Sequence, residues 1–260
     1  MNTGAITQYV DVAQLTLYAF WLFFFGLVFY LRREDKREGY PLDTDGSSGA
    51  NGGFFPPVPR PKTFLLPQGH TYQAPPGNPE RGDLKARPAA PWPGAPLQPT
   101  GNPLVDAVAP AAYAQRVDEP DLTFEATHRI VPLRVAKDFY VEPRDPDPRG
   151  MEVLGADREV AGTVSEIWVD RSEPAIKFLE VELAPSSGTT RSVLVPMMLA
   201  RIDGKRGQVK VKSILASQFA QVPPIRRADQ ISKLEEDKIM AYFGGGHLYA
   251  EPSRLDPGLL

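Results

Sequence analysis

The sequence predicts a membrane-anchored, mainly β protein: one N-terminal transmembrane helix, an extended proline-rich segment, and a cytoplasmic, β-barrel-like domain with a short C-terminal helix. Three observations carry that expectation. An uncharged run fills Val12 to Leu31, 15 of the 28 prolines crowd between Phe54 and Pro110, and short alternating apolar runs follow Asp121. The divisions they imply are residues 1–11, 12–31, 32–120 and 121–260.

Length sets the first element. Val12–Leu31 holds 20 residues without a charge, and at about 1.5 Å per residue such a helix spans a hydrocarbon core of roughly 30 Å once. A secretory signal carries basic residues before its apolar core and a small-residue cleavage site after it. Here no Lys or Arg precedes Asp11 and Leu31 runs directly into Arg32, so the segment is expected to be retained. Arg32, Arg33, Lys36 and Arg37 place the residues that follow in the cytoplasm by the positive-inside rule, leaving the N-terminus outside. Tyr9 and Tyr18 near one end, and Tyr30 and Tyr40 near the other, suit the headgroup regions.

Composition narrows the function classes. At 260 residues and 42% hydrophobic, the chain has room for one soluble domain and a sizeable non-globular segment. A formal charge of −3 leaves no electrostatic footprint for nucleic acid. With no Cys, disulfides, thiolate metal sites and thiol nucleophiles are excluded.

Residues 43–53, "DTDGSSGANGG", are turn-forming and flexible by composition, and Asp43 and Asp45 lack the Gly and Glu spacing of a calcium loop. The prolines that follow exclude long helices and central strands and favour extended backbone. Phe54, Phe55, Phe64, Leu65, Leu66, Tyr72, Trp92 and Leu97 recur along this strap. They require a surface to lie on, supplied either by the soluble domain or by a partner.

Beyond Asp121, "RIVPLRVA", "EVAGTVSEIWVD", "AIKFLEVELA", "TRSVLVPMML" and "GQVKVKSIL" read as successive strands separated by turns, a small antiparallel sheet or barrel. In "IKFLEVEL" the alternation puts Leu179, Val181 and Leu183 on a core face and Phe178, Glu180 and Glu182 on the other. Ser232 and Glu235 have the spacing of a capping box that opens a helix, and Gly244 to Gly246 are expected to stop it.

Catalytic signatures are not found. His70, His128 and His247 are scattered without zinc spacing, and no nucleophile elbow, dinucleotide fingerprint or phosphate loop occurs. From the residues alone, the chain reads as a non-catalytic, membrane-anchored β-domain protein with no bound cofactor or metal.

"YAFWLFFFGLVFYLRREDKREGYPL" at 18–42 resembles the N-terminal signature of the H subunit of the purple-bacterial photosynthetic reaction centre. Further matches follow in order: "PKTFLLPQG" at 61–69, "PTGNPLVDAVAPAAYA" at 99–114, "IVPLRVAKDF" at 130–139, "VAGTVSEIWVDRSEP" at 160–174, "FLEVEL" at 178–183 and "LEEDKIMAYFGGGHLYA" at 234–250. The resemblance implies a single-pass protein of the bacterial inner, intracytoplasmic membrane. Its N-terminus would be periplasmic, its strap would lie over the cytoplasmic face, and its β domain would be of the PRC-barrel kind. It also implies a cap on the L and M subunits, which hold bacteriochlorophyll, bacteriopheophytin, quinones and non-haem iron, while the H chain binds none of these. A cytochrome subunit, the core light-harvesting antenna and anionic phospholipid such as cardiolipin are the further partners implied, the last at the basic cluster Arg32, Arg33, Lys36 and Arg37. Within the span, Ala19 and Gly26 stand two turns apart on one face, which allows a neighbouring helix to approach closely.

The implied mechanistic role concerns protons. A secondary quinone reduced twice in a buried site must take up two protons through the capping domain, by a relay of titratable groups and water. By position in "FLEVEL", Glu180 matches the family's carboxylate near that quinone; from the strand pattern alone it is an ordinary exposed carboxylate. Some relatives carry an aspartate and a histidine pair where protons enter. Here the matching stretch is "EPDLTFEATHRIVPLR", with Glu125 and Thr127 in the histidine positions and His128 one place on, so the candidates are Asp121, Glu125 and His128. Arg129 falls at a basic position of the family. Two other classes compete with this reading: a membrane-tethered enzyme, which would need a constellation the sequence lacks, and a PRC-barrel interaction module unrelated to photochemistry.

Overall fold

The computed structural model describes residues 4–7, 10–37, 59–74, 84–92, 95–184 and 191–255. The loop at 43–53, Phe54, Phe55, Tyr9 and Tyr40 lie outside them. The chain divides into two units, 1–82 with 92–94 and 83–91 with 95–260.

The first unit is led by α1, Val12–Asp35, whose N-cap Asp11 accepts a 2.7 Å hydrogen bond from the Gln14 amide. The helix runs four residues past the expected Leu31 end, because Arg32, Arg33 and Glu34 are good helix formers. No residue of α1 is buried, and its apolar window has a mean hydropathy of 1.9. It is long and apolar enough to cross a membrane. Phe20, Trp21, Phe24 and Phe25 stack on one another along the exposed surface, and Tyr18 and Tyr30 are exposed toward either end. The same unit holds a hairpin of β1, Lys62–Leu65, and β2, Thr71–Ala74.

The second unit begins with a short ladder of β3, Ala86–Pro88, on β4, Leu97–Pro99. As the prolines require, no α-helix occurs in the described part of the strap. The strap's apolar side chains differ by position. Leu104, Val108 and Ala111 near its end are buried by their own domain, whereas Phe64, Leu65, Leu66, Tyr72, Trp92 and Leu97 stay exposed.

The main sheet comprises β5 Ile130–Pro132, β6 Glu152–Leu154, β7 Val160–Asp170, β8 Ala175–Leu183, β9 Ser192–Pro196, β10 Ala200–Asp203 and β11 Gln208–Val211. Its order is β10-β11-β6-β7-β8-β9, with β5 pairing the end of β7. Only the 3-10 turn Met197–Leu199 separates β9 from β10, yet they are the two ends of that order. Four residue steps reach at most about 14 Å, while six flat strands put their edges roughly 24 Å apart. The sheet therefore curls strongly, as a barrel does, but its ends do not pair.

Two expectations for the sheet are corrected. The β11–β6 pairing is parallel, because the chain passes from β9 to β10 through the Met197–Leu199 turn without reversing its sense, whereas the other ladders are antiparallel. Phe178, expected on the solvent side of β8, is fully buried against its register partner Trp168. At this end of the strand both faces are covered, which alternation alone does not reveal.

Helix α2, Lys233–Tyr249, opens on the expected capping box: Glu235 N–H donates to Ser232 Oγ at 3.1 Å and Ser232 N–H to Glu235 Oε2 at 2.9 Å. The three glycines do not end it. A Cβ on Gly245 would stand 2.5 Å from Ala111 Cβ, and one on Gly246 would stand 2.4 Å from both Ile214 Cγ2 and the Ser213 carbonyl. These glycines let the helix backbone press against its neighbours, and the helix continues to Tyr249.

Candidate functional site

Glu180 and Glu166 are direct register partners on β8 and β7, two carboxylates side by side on one face. Like charges directly opposite destabilise a sheet unless something compensates. Arg134, just past β5, spans them: its Nη1 is 3.3 Å from Glu180 Oε2 and 3.6 Å from Glu166 Oε2, and a second nitrogen donates to the Ala228 carbonyl. Trp168 Nε1 donates to the same Glu180 Oε2 at 2.9 Å. Both side-chain contacts fall on Oε2, and Glu180 Oε1 has no hydrogen bond among the described residues.

Local geometry makes this pairing possible. The β7–β8 register shifts at Ser165, whose hydroxyl donates to the Glu180 carbonyl at 3.2 Å. Such a bulge re-aims the residues beside it. Glu166 is held by the Ile167 amide at 3.0 Å and the Arg134 amide at 3.3 Å. From Glu166 a cleft of about 560 Å³ opens past Arg149, Asp147 and Tyr140. Arg149 makes a forked contact with Asp147, and that hydrogen bonding holds the Asp147 carboxyl below its usual range.

A second charged cluster forms at the end of β7. Asp170 is 2% exposed and accepts from Arg129 Nε at 2.9 Å, from the Ser172 amide at 2.9 Å and from the Glu173 amide at 3.2 Å. Burial works against its ionisation, but these donors outweigh it and its pKa lies below the ordinary value. Arg129 also reaches Asp121 at 3.3 Å, and Lys233 Nζ stands 3.1 Å from the other Asp121 oxygen. Asp121 is likewise lowered, burial being overcome by Lys233, Arg129 and the Leu122 amide.

The sequence candidates thus do not converge on one spot. Glu180 belongs to the Arg134 cluster, and Asp121 and Arg129 to the Asp170 cluster, separated along β7 by the four residues from Glu166 to Asp170, roughly 13 Å of strand. Glu125 is exposed on a turn closed by a 2.8 Å hydrogen bond from Thr123 N–H to the Thr127 carbonyl, and His128 is half-buried beside it. At the foot of α1, Arg32 and Arg33 are exposed while Lys36 and Arg37 are buried. Arg37 is occupied inside its unit by Glu34 Oε2 at 2.8 Å and by the Arg60 and Ala74 carbonyls. Among the described residues no group of three or more His, Asp or Glu could hold a metal ion.

Sequence reading missed Arg134, Glu166, Trp168 and Asp170. The one signal available was the pair of acids in "EIWVD" on the strand that precedes "FLEVEL", but their facing depends on the bulge.

Two comparisons bear on identity. The model of the photosynthetic reaction centre H-chain N-terminal region matches residues 4–135, and that of the PRC-barrel domain matches residues 142–217. The first match ends one residue after Arg134 and the second contains Glu166, Trp168 and Glu180, so the carboxylate cluster joins the two regions. With just over half the sequence matched by the first alone, and an apolar helix fit to anchor it, the chain belongs to the photosynthetic reaction centre H-chain family and carries a PRC-barrel domain.

Proposed function

We propose that this chain is the non-pigmented, non-catalytic H subunit of a photosynthetic reaction centre. It caps the L and M subunits on the cytoplasmic side, supports assembly, and assists electron transfer between quinones and proton delivery to the secondary quinone. The observation that carries this reading is α1: 24 residues, none buried, in a chain of the H-chain family. Exposed Phe and Trp side chains at that density need lipid and neighbouring helices around them. The exposed strap residues Phe64, Leu65, Tyr72 and Trp92 suit the same partners.

In this reading the N-terminus is periplasmic and the β domain cytoplasmic in the bacterial inner membrane. Arg32 and Arg33 meet anionic headgroups such as cardiolipin, and a cytochrome subunit and the core antenna share the complex. Glu180 takes the proton-relay role. Its Oε2 is fixed by Trp168 and Arg134, which leaves Oε1 to accept and release a proton, while Asp121, Glu125 and His128 supply protons from the surface. Arg129 biases the potential there.

Affinity purification of the tagged chain from native membranes, with an absorption spectrum, tests the assignment. A pigmented complex containing this chain and two strongly hydrophobic subunits in equal amounts is expected. Recovery of a colourless chain without them would favour a PRC-barrel interaction module.

A further inference from the structure

We propose that the sheet face at β11 and the neighbouring Gly155–Arg158 turn is a binding site for a phosphate-bearing anion. A cleft of about 700 Å³ opens there, lined by Arg158, Arg206, Lys210, Lys212 and Arg254, and no carboxylate lines it among the described residues. The site lies apart from the Glu180 and Asp170 clusters and does not depend on the proposed function.

The strand pattern builds the charge deliberately close. Val209 and Val211 are fully buried, so Lys210 projects to the opposite face, and Lys212, one residue past the strand, continues that alternation. Arg201 of β10 stands directly opposite Lys210 in the register. Like charges across a ladder destabilise the sheet, and a bound anion would relieve that repulsion.

Nearby carboxylates account for only part of the charge. Asp203 Oδ2 lies 2.7 Å from Lys210 Nζ and 4.0 Å from Arg206 Nε, and Glu251 Oε2 lies 3.0 Å from Arg254 Nε. Arg158 and Lys212 are exposed and form no ion pair among the described residues. Asp157, the carboxylate next to Arg158, is turned to the Ala216 amide at 3.2 Å. Arg158 also holds a φ of +67°, a left-handed conformation unusual for a side chain of this size. Arg254 is a rigid wall, because its Nη1 donates to the carbonyls of Lys212, Ser213 and Gly246 at 3.1, 2.9 and 2.9 Å.

These features define the ligand's chemistry. Guanidinium and ammonium groups that outnumber the carboxylates beside them are the usual recognition set for phosphate oxygens. Leu154 and Ala156 add an apolar floor for the body of the molecule. The phosphate could belong to a soluble phosphoanion or to a phospholipid headgroup, since both present the same oxygens to Arg158 and Lys212.

Calorimetric titration of the full-length chain in neutral detergent micelles decides between them. The probes are inorganic pyrophosphate and, separately, a short-chain phosphatidylglycerol kept below its micellar concentration. Saturable binding is expected, weakened at least tenfold by Arg158→Gln with Lys212→Gln and unaffected by Lys137→Gln with Arg144→Gln, which removes equal charge elsewhere. Circular dichroism melts check that both double variants remain folded. Pyrophosphate binding that follows this pattern assigns a soluble phosphoanion, and the same pattern with phosphatidylglycerol alone assigns a headgroup. Binding of neither probe, or equal weakening by the two double variants, overturns the site.

Discussion

The Trp168 indole donates to Glu180 Oε2 at 2.9 Å although the two residues are not register partners: Trp168 pairs with Phe178, and Glu180 with Glu166. The contact runs along the diagonal of the ladder, a distance that only a long side chain covers. Trp168 is fully buried, so its N–H has no water to turn to, and Glu180 is thereby anchored to the hydrophobic core.

Trp168→Phe keeps most of the ring and removes the donor. A loss of about 1 kcal/mol is expected for such a hydrogen bond, read from denaturant melts of the chain. In reaction centres the same variant should slow proton-coupled electron transfer less than loss of the Glu180 carboxylate does. Kinetics slower than those of the Glu180 variant would mean that the indole acts by another route.

Glu180→Gln retains size and polarity but cannot exchange a proton under working conditions. The second, proton-coupled electron transfer to the secondary quinone should slow about tenfold, equivalent to about 1.4 kcal/mol of barrier, with primary charge separation unchanged. Glu182→Gln is the control: Glu182 is exposed and lies roughly 6.6 Å farther along the strand. Second-flash kinetics unaltered across pH in the Glu180 variant would return this residue to an ordinary strand carboxylate.

Asp170→Asn should destabilise the domain by about 2 kcal/mol at neutral pH, the scale of hydrogen bonds to a charged group. Because the folded state lowers the Asp170 pKa, its stabilisation is complete above the unfolded value near ~3.9 and is lost as pH falls through the lower folded value. The gap between wild type and variant should therefore be constant from pH 7 to about 5 and close at more acid pH. A gap that widens on acidification would contradict the depressed pKa.

The glycines of α2 offer a paired test. Gly245→Ala forces a methyl against Ala111 and should cost about 2 kcal/mol by overpacking. Gly244 meets only the Pro110 carbonyl, at 3.9 Å, so Gly244→Ala should stabilise the helix by about 1 kcal/mol. Thermal melts showing both substitutions neutral would refute close approach as the reason for the glycine run.

Local pattern was enough for some elements because their cause is local. Twenty uncharged residues make a helix long and apolar enough to span a membrane whatever they pack against, prolines bar an α-helix from the described part of the strap, and Ser232 with Glu235 closes a capping box within one turn. Alternation likewise located β7, β8, β9 and β11 and placed Glu180 off the core face of Leu179 and Val181. Tertiary structure decided what depends on distant neighbours. The bulge at Ser165 and the β7–β8 register set Glu166 beside Glu180, and Arg134 reaches both from a segment 32 residues away from Glu166. Phe178 is buried because its strand is covered on both sides there, and Gly245 serves close approach rather than a helix stop because Ala111 leaves no room for a Cβ. Spacing along a chain specifies which way a side chain points, but only the packing of elements far apart in sequence determines what it meets.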